Sequence, residues 1–131
     1  MKAPAGRILV IDDEEGVRDM LRFALGGRGY EVAAAASGEE GLRLAEAAPF
    51  DAVICDIKMP GIDGESTLKI FKRRWPRTEV IMATGYATMT SAVQCIEAGA
   101  CQYLAKPFDI EEMCALLSTA VKMSRSPRKN G

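Results

Sequence analysis

Histidine is absent from the 131-residue sequence, and the four cysteines, Cys55, Cys95, Cys101 and Cys114, form no C-x-x-C pair. That combination argues against a cysteine/histidine zinc site and leaves the cysteines as small core residues of a reducing compartment. No apolar run approaches the roughly 20 residues that cross a bilayer. The opening Met1-Lys2-Ala3-Pro4-Ala5-Gly6 holds no apolar signal core, so the expectation is a cytoplasmic chain without membrane contact. Aromatic residues are scarce and nowhere interleave with a basic stripe, which removes the usual footprint of a nucleic-acid binder. There is also no internal repeat and no low-complexity block.

What the sequence does hold suits one compact domain with a core of its own: 48% hydrophobic and 27% charged residues at a net charge of -1. The charge is uneven. Lys122, Arg125, Arg128 and Lys129 follow position 121, leaving thirteen basic against eighteen acidic residues before it, a net of -5. A basic Ser/Pro-containing end reads as a solvated tail rather than a nucleic-acid contact. The expected organisation is a disordered stretch over 1-6, a domain over 7-121, and a basic tail or cut linker over 122-131 with no room for an output domain.

Within the domain, apolar runs alternate with helical stripes. Arg7 to Ile11 is a continuous β-branched run, as in a strand covered on both faces. Val17, Met20, Leu21, Ala24 and Leu25 then recur at helical spacing before Gly26-Gly27. Tyr30 to Ala35 is a weaker strand, and Ser37 with Glu40 makes a capping box for a helix through Leu42, Leu44, Ala45 and Ala48. Ala52 to Cys55 is a buried strand ending at Asp56. Pro60-Gly61 and Asp63-Gly64 mark the loop before a helix through Leu68, Ile70 and Phe71. Glu79 to Ala83 is a fourth strand ending at Thr84-Gly85, followed by a helix with an apolar stripe of Met89, Ala92, Val93 and Ile96. Cys101 to Ala105 is a fifth strand ending at Lys106-Pro107, and Asp109 with Glu112 caps a last helix lined by Met113, Leu116, Leu117, Ala120 and Val121. Five strands alternating with five helices predict a doubly wound parallel α/β sheet.

In such a sheet all strand C-termini share one edge, where ligands bind. The residues that end the strong strands are Asp12 and Asp13, Asp56, Thr84 and Lys106, so they converge there although the sequence spreads them widely. Three carboxylates repel one another and resist ionisation unless a cation with a preference for oxygen joins them, and magnesium is the natural candidate. Lys106 and Thr84 supply a fixed positive charge and a hydroxyl, both suited to the oxygens of a phosphoryl group. Each residue alone has an ordinary explanation: the acidic run can complement a helix dipole, Thr84 can belong to a turn, Lys106 to the solvated surface, and Tyr103 to the core. It is the joint pattern that points to phosphoryl chemistry at Asp56.

Asp12-Asp13, the stretch Asp56-Ile57-Lys58-Met59-Pro60-Gly61-Ile62-Asp63-Gly64, the Ala83-Thr84-Gly85 turn and Tyr103-Leu104-Ala105-Lys106-Pro107-Phe108 resemble the receiver (CheY-like) domain of two-component response regulators. The resemblance covers residues 7 to about 121 and implies the strand order 2-1-3-4-5, with Asp12 and Asp13 beside Asp56. It implies that Asp56 accepts a phosphoryl group from a sensor histidine kinase or phosphotransfer protein. Magnesium would be held by Asp13, Asp56 and the backbone carbonyl of Lys58, with Asp12 acting mainly through water. Lys106 would pair with the phosphoryl oxygens, Thr84 would move to the phosphoryl group, and Tyr103 would turn into the space left behind. A cis Lys106-Pro107 bond, an output face over 87-121, and control of a C-terminal output domain or a homodimer are also implied. Residues 84-108 most resemble receivers of enhancer-binding transcriptional activators. Two other readings compete. A magnesium-dependent phosphohydrolase would want a second carboxylate two positions after Asp56, where Lys58 stands. A flavodoxin-like cofactor binder would want a phosphate-binding loop after the first strand, where this chain is acidic.

Overall fold

A computed structural model describes residues 4-127 of the chain. Arg128 and Lys129 of the expected basic tail, and Met1 to Ala3 of the N-terminal stretch, lie outside the described residues. The order of elements is β1 (Arg7–Ile11), α1 (Glu15–Gly26), β2 (Glu31–Ala35), α2 (Gly38–Ala47), β3 (Ala52–Cys55), α3 (Gly64–Arg74), β4 (Glu79–Thr84), α4 (Met89–Glu97), β5 (Gln102–Ala105) and α5 (Ile110–Arg125). All strand pairings are parallel, in the order β2-β1-β3-β4-β5. The doubly wound reading of the sequence therefore holds, topology included.

Alternate residues of each central strand feed two separate cores, which is why those strands are apolar throughout. Ile8, Val10, Ile54 and Ile81 pack with Leu21 and Leu25 of α1 and with Met113 and Leu117 of α5. Leu9, Ile11, Val53 and Met82 pack on the other face with Leu68 and Phe71 of α3 and Cys95 of α4. The helix starts follow their capping residues. Ser37, Asp63 and Thr88 accept hydrogen bonds from the backbone N–H groups of Glu40, Ser66 and Ser91. Asp109 caps α5 one residue earlier than the capping-box spacing suggests, on the N–H of Glu111 rather than Glu112.

Three expectations need correction. The Met89, Val93 and Ile96 stripe of α4 faces solvent, at 83%, 47% and 49% exposure, while Cys95 is the buried contact of that helix. Met20, part of the apolar stripe of α1, is 41% exposed, whereas Leu21 and Leu25 are buried and Val17 packs partly buried against the same core. Ends also shift: α5 continues to Arg125, four residues into the expected tail, and Ala5 and Gly6 already exchange backbone hydrogen bonds with the segment around β2. Arg125 is held there by Asp51, whose carboxylate also accepts the Arg7 N–H. The cysteines are free thiols, three of them buried, as core residues should be. Among the described residues no helix is long and apolar enough to cross a membrane.

Candidate phosphoryl-acceptor site

Asp12 and Asp13 follow β1, Asp56 follows β3, Thr84 closes β4 and Lys106 follows β5, so the parallel register brings all five to one edge. Asp12 and Asp56 are each 3% exposed, whereas Asp13 is open to solvent. Carboxylate oxygens of Asp12, Asp13 and Asp56 lie within 4.8 Å of one another. Lys106 Nζ donates to Asp12 Oδ2 at 2.6 Å and to Asp56 Oδ2 at 2.9 Å, and reaches Glu14 Oε1 at 3.3 Å. The second oxygens are held by backbone donors: Asp12 Oδ1 accepts from the Glu14 N–H at 2.9 Å and Asp56 Oδ1 from the Ile57 N–H at 2.6 Å. The Lys106-Pro107 peptide bond is cis.

Even without Glu14, the three converging carboxylates outnumber the one ammonium that bridges two of them, an excess of negative charge that a divalent cation would offset. The donors are all hard oxygens, the set that suits magnesium rather than a softer metal. Burial drives the pKa of Asp12 up, and the hydrogen bonds from Lys106 and the Glu14 N–H offset only part of that rise. For Lys106, burial works to lower the pKa, but its hydrogen bonds to Asp12 and Asp56 outweigh burial and keep the ammonium charged.

A raised carboxyl pKa has a definite sign in stability. The Asp12 contribution is intact below its unfolded value, near 3.8, and is lost as pH rises through the folded one. Asp12→Asn keeps an Oδ1 for the Glu14 N–H. Its stability relative to the parent chain is therefore expected to be higher at about pH 7 than at about pH 3, without added cation. Urea midpoints at the two pH values check this, and a difference that does not change with pH would contradict it.

Above the carboxylates opens a cleft of about 440 Å³ lined by Asp13, Glu14, Asp56, Lys58, Pro60 and Tyr86, among others. Lys58 Nζ lies 4.4 Å from the centroid of the Tyr86 ring, so the two side chains form one wall. Thr84 is fully buried, and its Oγ1 accepts the Tyr86 N–H at 3.1 Å. Tyr103 is half-buried, with its hydroxyl shut away from water and lacking a hydrogen-bond partner among the described residues. The arrangement supplies a recessed carboxylate, a fixed ammonium beside it, a donor set for one hard cation, and an open approach from solvent. Sequence reasoning missed Glu14 as a third partner of Lys106 and Arg18, whose guanidinium donates to the Asp12 carbonyl at 2.9 Å. Glu14 belonged to a visible acidic run; nothing in the sequence marks Arg18.

Residues 8–118 match the family described as response regulator receiver domain. The Escherichia coli regulatory protein AtoC is 38% identical over 117 residues, which take in 89% of this chain and 25% of that protein. The Escherichia coli DNA-binding transcriptional regulator NtrC is 38% identical over 116 residues, 88% of this chain and 25% of the regulator. The crystal structure of a CheY-like response regulator receiver domain protein from Methanospirillum hungatei is similar at a TM-score of 0.87 and 32% identity, over 90% of this chain and 94% of that one. The chain spans about a quarter of the length of these two curated relatives. Since the family match runs from the second residue of β1 into α5 and takes in the whole acidic edge, the chain belongs to the response regulator receiver domain family.

Proposed function

We propose that the chain is the phosphoacceptor switch of a two-component system, taking a phosphoryl group from the phosphohistidine of a sensor histidine kinase or phosphotransfer protein onto Asp56. The observation that carries this reading is the Lys106 ammonium bridging Asp12 and Asp56 beneath an open cleft, with three carboxylates converging beside it. An Asp56 carboxylate oxygen forms a bond to phosphorus as the phosphorus–nitrogen bond breaks, and the imidazole leaves with a proton from solvent. Asp13, Asp56 and the Lys58 carbonyl would hold magnesium, with Asp12 acting through water, and the ion would supply charge neutralisation at the phosphoryl oxygens. Lys106 supports the same oxygens from the β5 side.

Thr84 gives up its bond with the Tyr86 N–H when its hydroxyl turns to the phosphoryl group, so the β4-α4 loop moves with it. Tyr103 is the second member of the switch, and its unpartnered hydroxyl is free to find a new partner. The output face is 87-121. Solvent-facing Met89, Val93 and Ile96 support that assignment, since an apolar face of this kind suits a partner surface. That partner is a C-terminal output domain or a second copy, in a cytoplasmic regulator of the enhancer-binding activator type. On this reading the chain is no enzyme beyond slow loss of its own phosphoryl group, and makes no direct contact with nucleic acid or membrane through this domain.

Incubation with magnesium and a small acyl phosphate, followed by intact mass, is expected to show a gain of one phosphoryl group that vanishes when a chelator replaces the metal. Lys106→Met is expected to slow the gain by about 10²–10³-fold, the usual effect of removing one preorganised donor to developing charge. No gain by the folded protein, or a gain indifferent to magnesium, would sink the proposal.

A further inference from the structure

The opposite edge of the sheet, where the strands begin, carries a cleft of its own, about 760 Å³ in volume. It is bounded by the first residue of β1, the residues before β3 and β4, and the last turns of α3 and α5. Arg7, Arg74, Arg77 and Arg125 line it together with Phe50 and Trp75. Positive charge thus gathers at the end of the molecule remote from the acidic site.

The arginines are not all accounted for by the fold. Basic residues in the last turn of α3 complement the helix dipole, which explains Arg74 along with Lys72 and Arg73. Arg77 lies beyond that helix, in the turn closed by the Thr78 N–H on the Trp75 carbonyl, and has no carboxylate partner among the described residues. Arg74 pairs with Glu46 and Arg7 with Glu31, in ion pairs whose acids are more than half exposed. Pairs of that kind exchange readily for a better anion. Asp51, the carboxylate that lines the cleft, is already committed to the Arg7 N–H and to Arg125. Two guanidinium groups lie over aromatic rings, Arg7 at 4.7 Å from the Phe50 centroid and Arg74 at 4.6 Å from that of Trp75.

We propose that this cleft binds a nucleoside polyphosphate. The forks of Arg77 and Arg74 take the phosphates, which planar guanidinium groups hold bidentately. The base lies against the layer formed by Arg74 and Trp75, which offers a flat face beside positive charge. A plain anion would use only the charge, and a neutral apolar ligand only the face; a base joined to phosphates uses both.

Trp75 is the single tryptophan of the chain, so its fluorescence reports from this cleft alone. Titration with ATP in the presence of a chelator is expected to give a saturable change. Arg77→Ala removes an exposed side chain outside any helix or strand, and is expected to weaken ATP about tenfold or more, as loss of a charge-assisted hydrogen bond does. Adenosine and inorganic triphosphate are each expected to bind at least about tenfold more weakly than ATP, and calorimetry on the same proteins checks the affinities. Absence of a saturable change, equal ATP affinity in Arg77→Ala, or triphosphate binding as tightly as ATP would each overturn the inference. Asp56→Asn is expected to bind ATP unchanged, which keeps this result separate from that of the phosphoryl-acceptor reading.

Discussion

Asp56→Asn is expected to reduce phosphoryl uptake by about 10³-fold or more, below detection in an intact-mass assay, while the domain stays folded. The amide has no negative oxygen to attack phosphorus, so the loss concerns the bond-forming atom itself rather than its surroundings. Structure around it should change little. Asparagine keeps an Oδ1 for the Ile57 N–H, and Lys106 retains Asp12 as its partner at 2.6 Å. The substitution also removes the charge of Asp56, itself only 3% exposed, from three converging carboxylates, which lessens their repulsion. A circular dichroism melt beside the mass measurement decides the case: uptake at the parent rate would move the acceptor elsewhere, and an unfolded variant would show that the carboxylate holds the fold.

Gly64→Ala is expected to destabilise the domain by about 2–3 kcal/mol, a fall in melting temperature of roughly 10 °C for a chain of this size. A Cβ on Gly64 would run into the Asp56 carbonyl oxygen and the Ile57 Cα. Those atoms are backbone and cannot rotate aside as a side-chain tip can. The Gly64 N–H donates to the Ile57 carbonyl at 2.6 Å, so the start of α3 and the end of β3 are drawn together at this one point. Relief of the clash would displace Asp56 itself, and magnesium affinity should fall together with stability. Gly16→Ala makes the contrasting case inside α1, where a Cβ meets nothing within 4 Å; there the same change is expected to stabilise by about 0.5–1 kcal/mol. Equal melting temperatures for the two variants would show that the close approach at Gly64 has no energetic consequence.

The strands were legible because each central one is buried on both faces, so burial writes itself into the sequence as an unbroken apolar run. Their polar last residues then gave most of the acidic edge without any contact information. Helix α4 was legible as a helix but not in its orientation. An apolar stripe reports that a face repels water, and Met89, Val93 and Ile96 say nothing about whether the covering surface belongs to the same chain. The true inner contact rests on Cys95, a small residue that a search for large apolar side chains passes over. Lys106 was placed at the right edge by topology, yet its reach to Glu14 depends on side-chain torsions that no spacing encodes. The paired wall of Lys58 and Tyr86 is of the same kind, joining residues that stand in different loops. The solitary Tyr103 hydroxyl is a property of what surrounds it rather than of tyrosine, and for that reason no motif could carry it.

The Lys106 bridge to Asp12 joins residues 94 positions apart, and it hangs from the last strand to be made. Four strands emerge from the ribosome with their carboxylates but without the ammonium that bridges Asp12 and Asp56. Until β5 docks at the sheet edge, Asp12 and Asp56 have no ammonium between them. The charge of the acidic edge is therefore offset from within the chain only once residues 102-106 have joined the sheet, and a fragment that stops short of them would carry the carboxylates without that counter-charge.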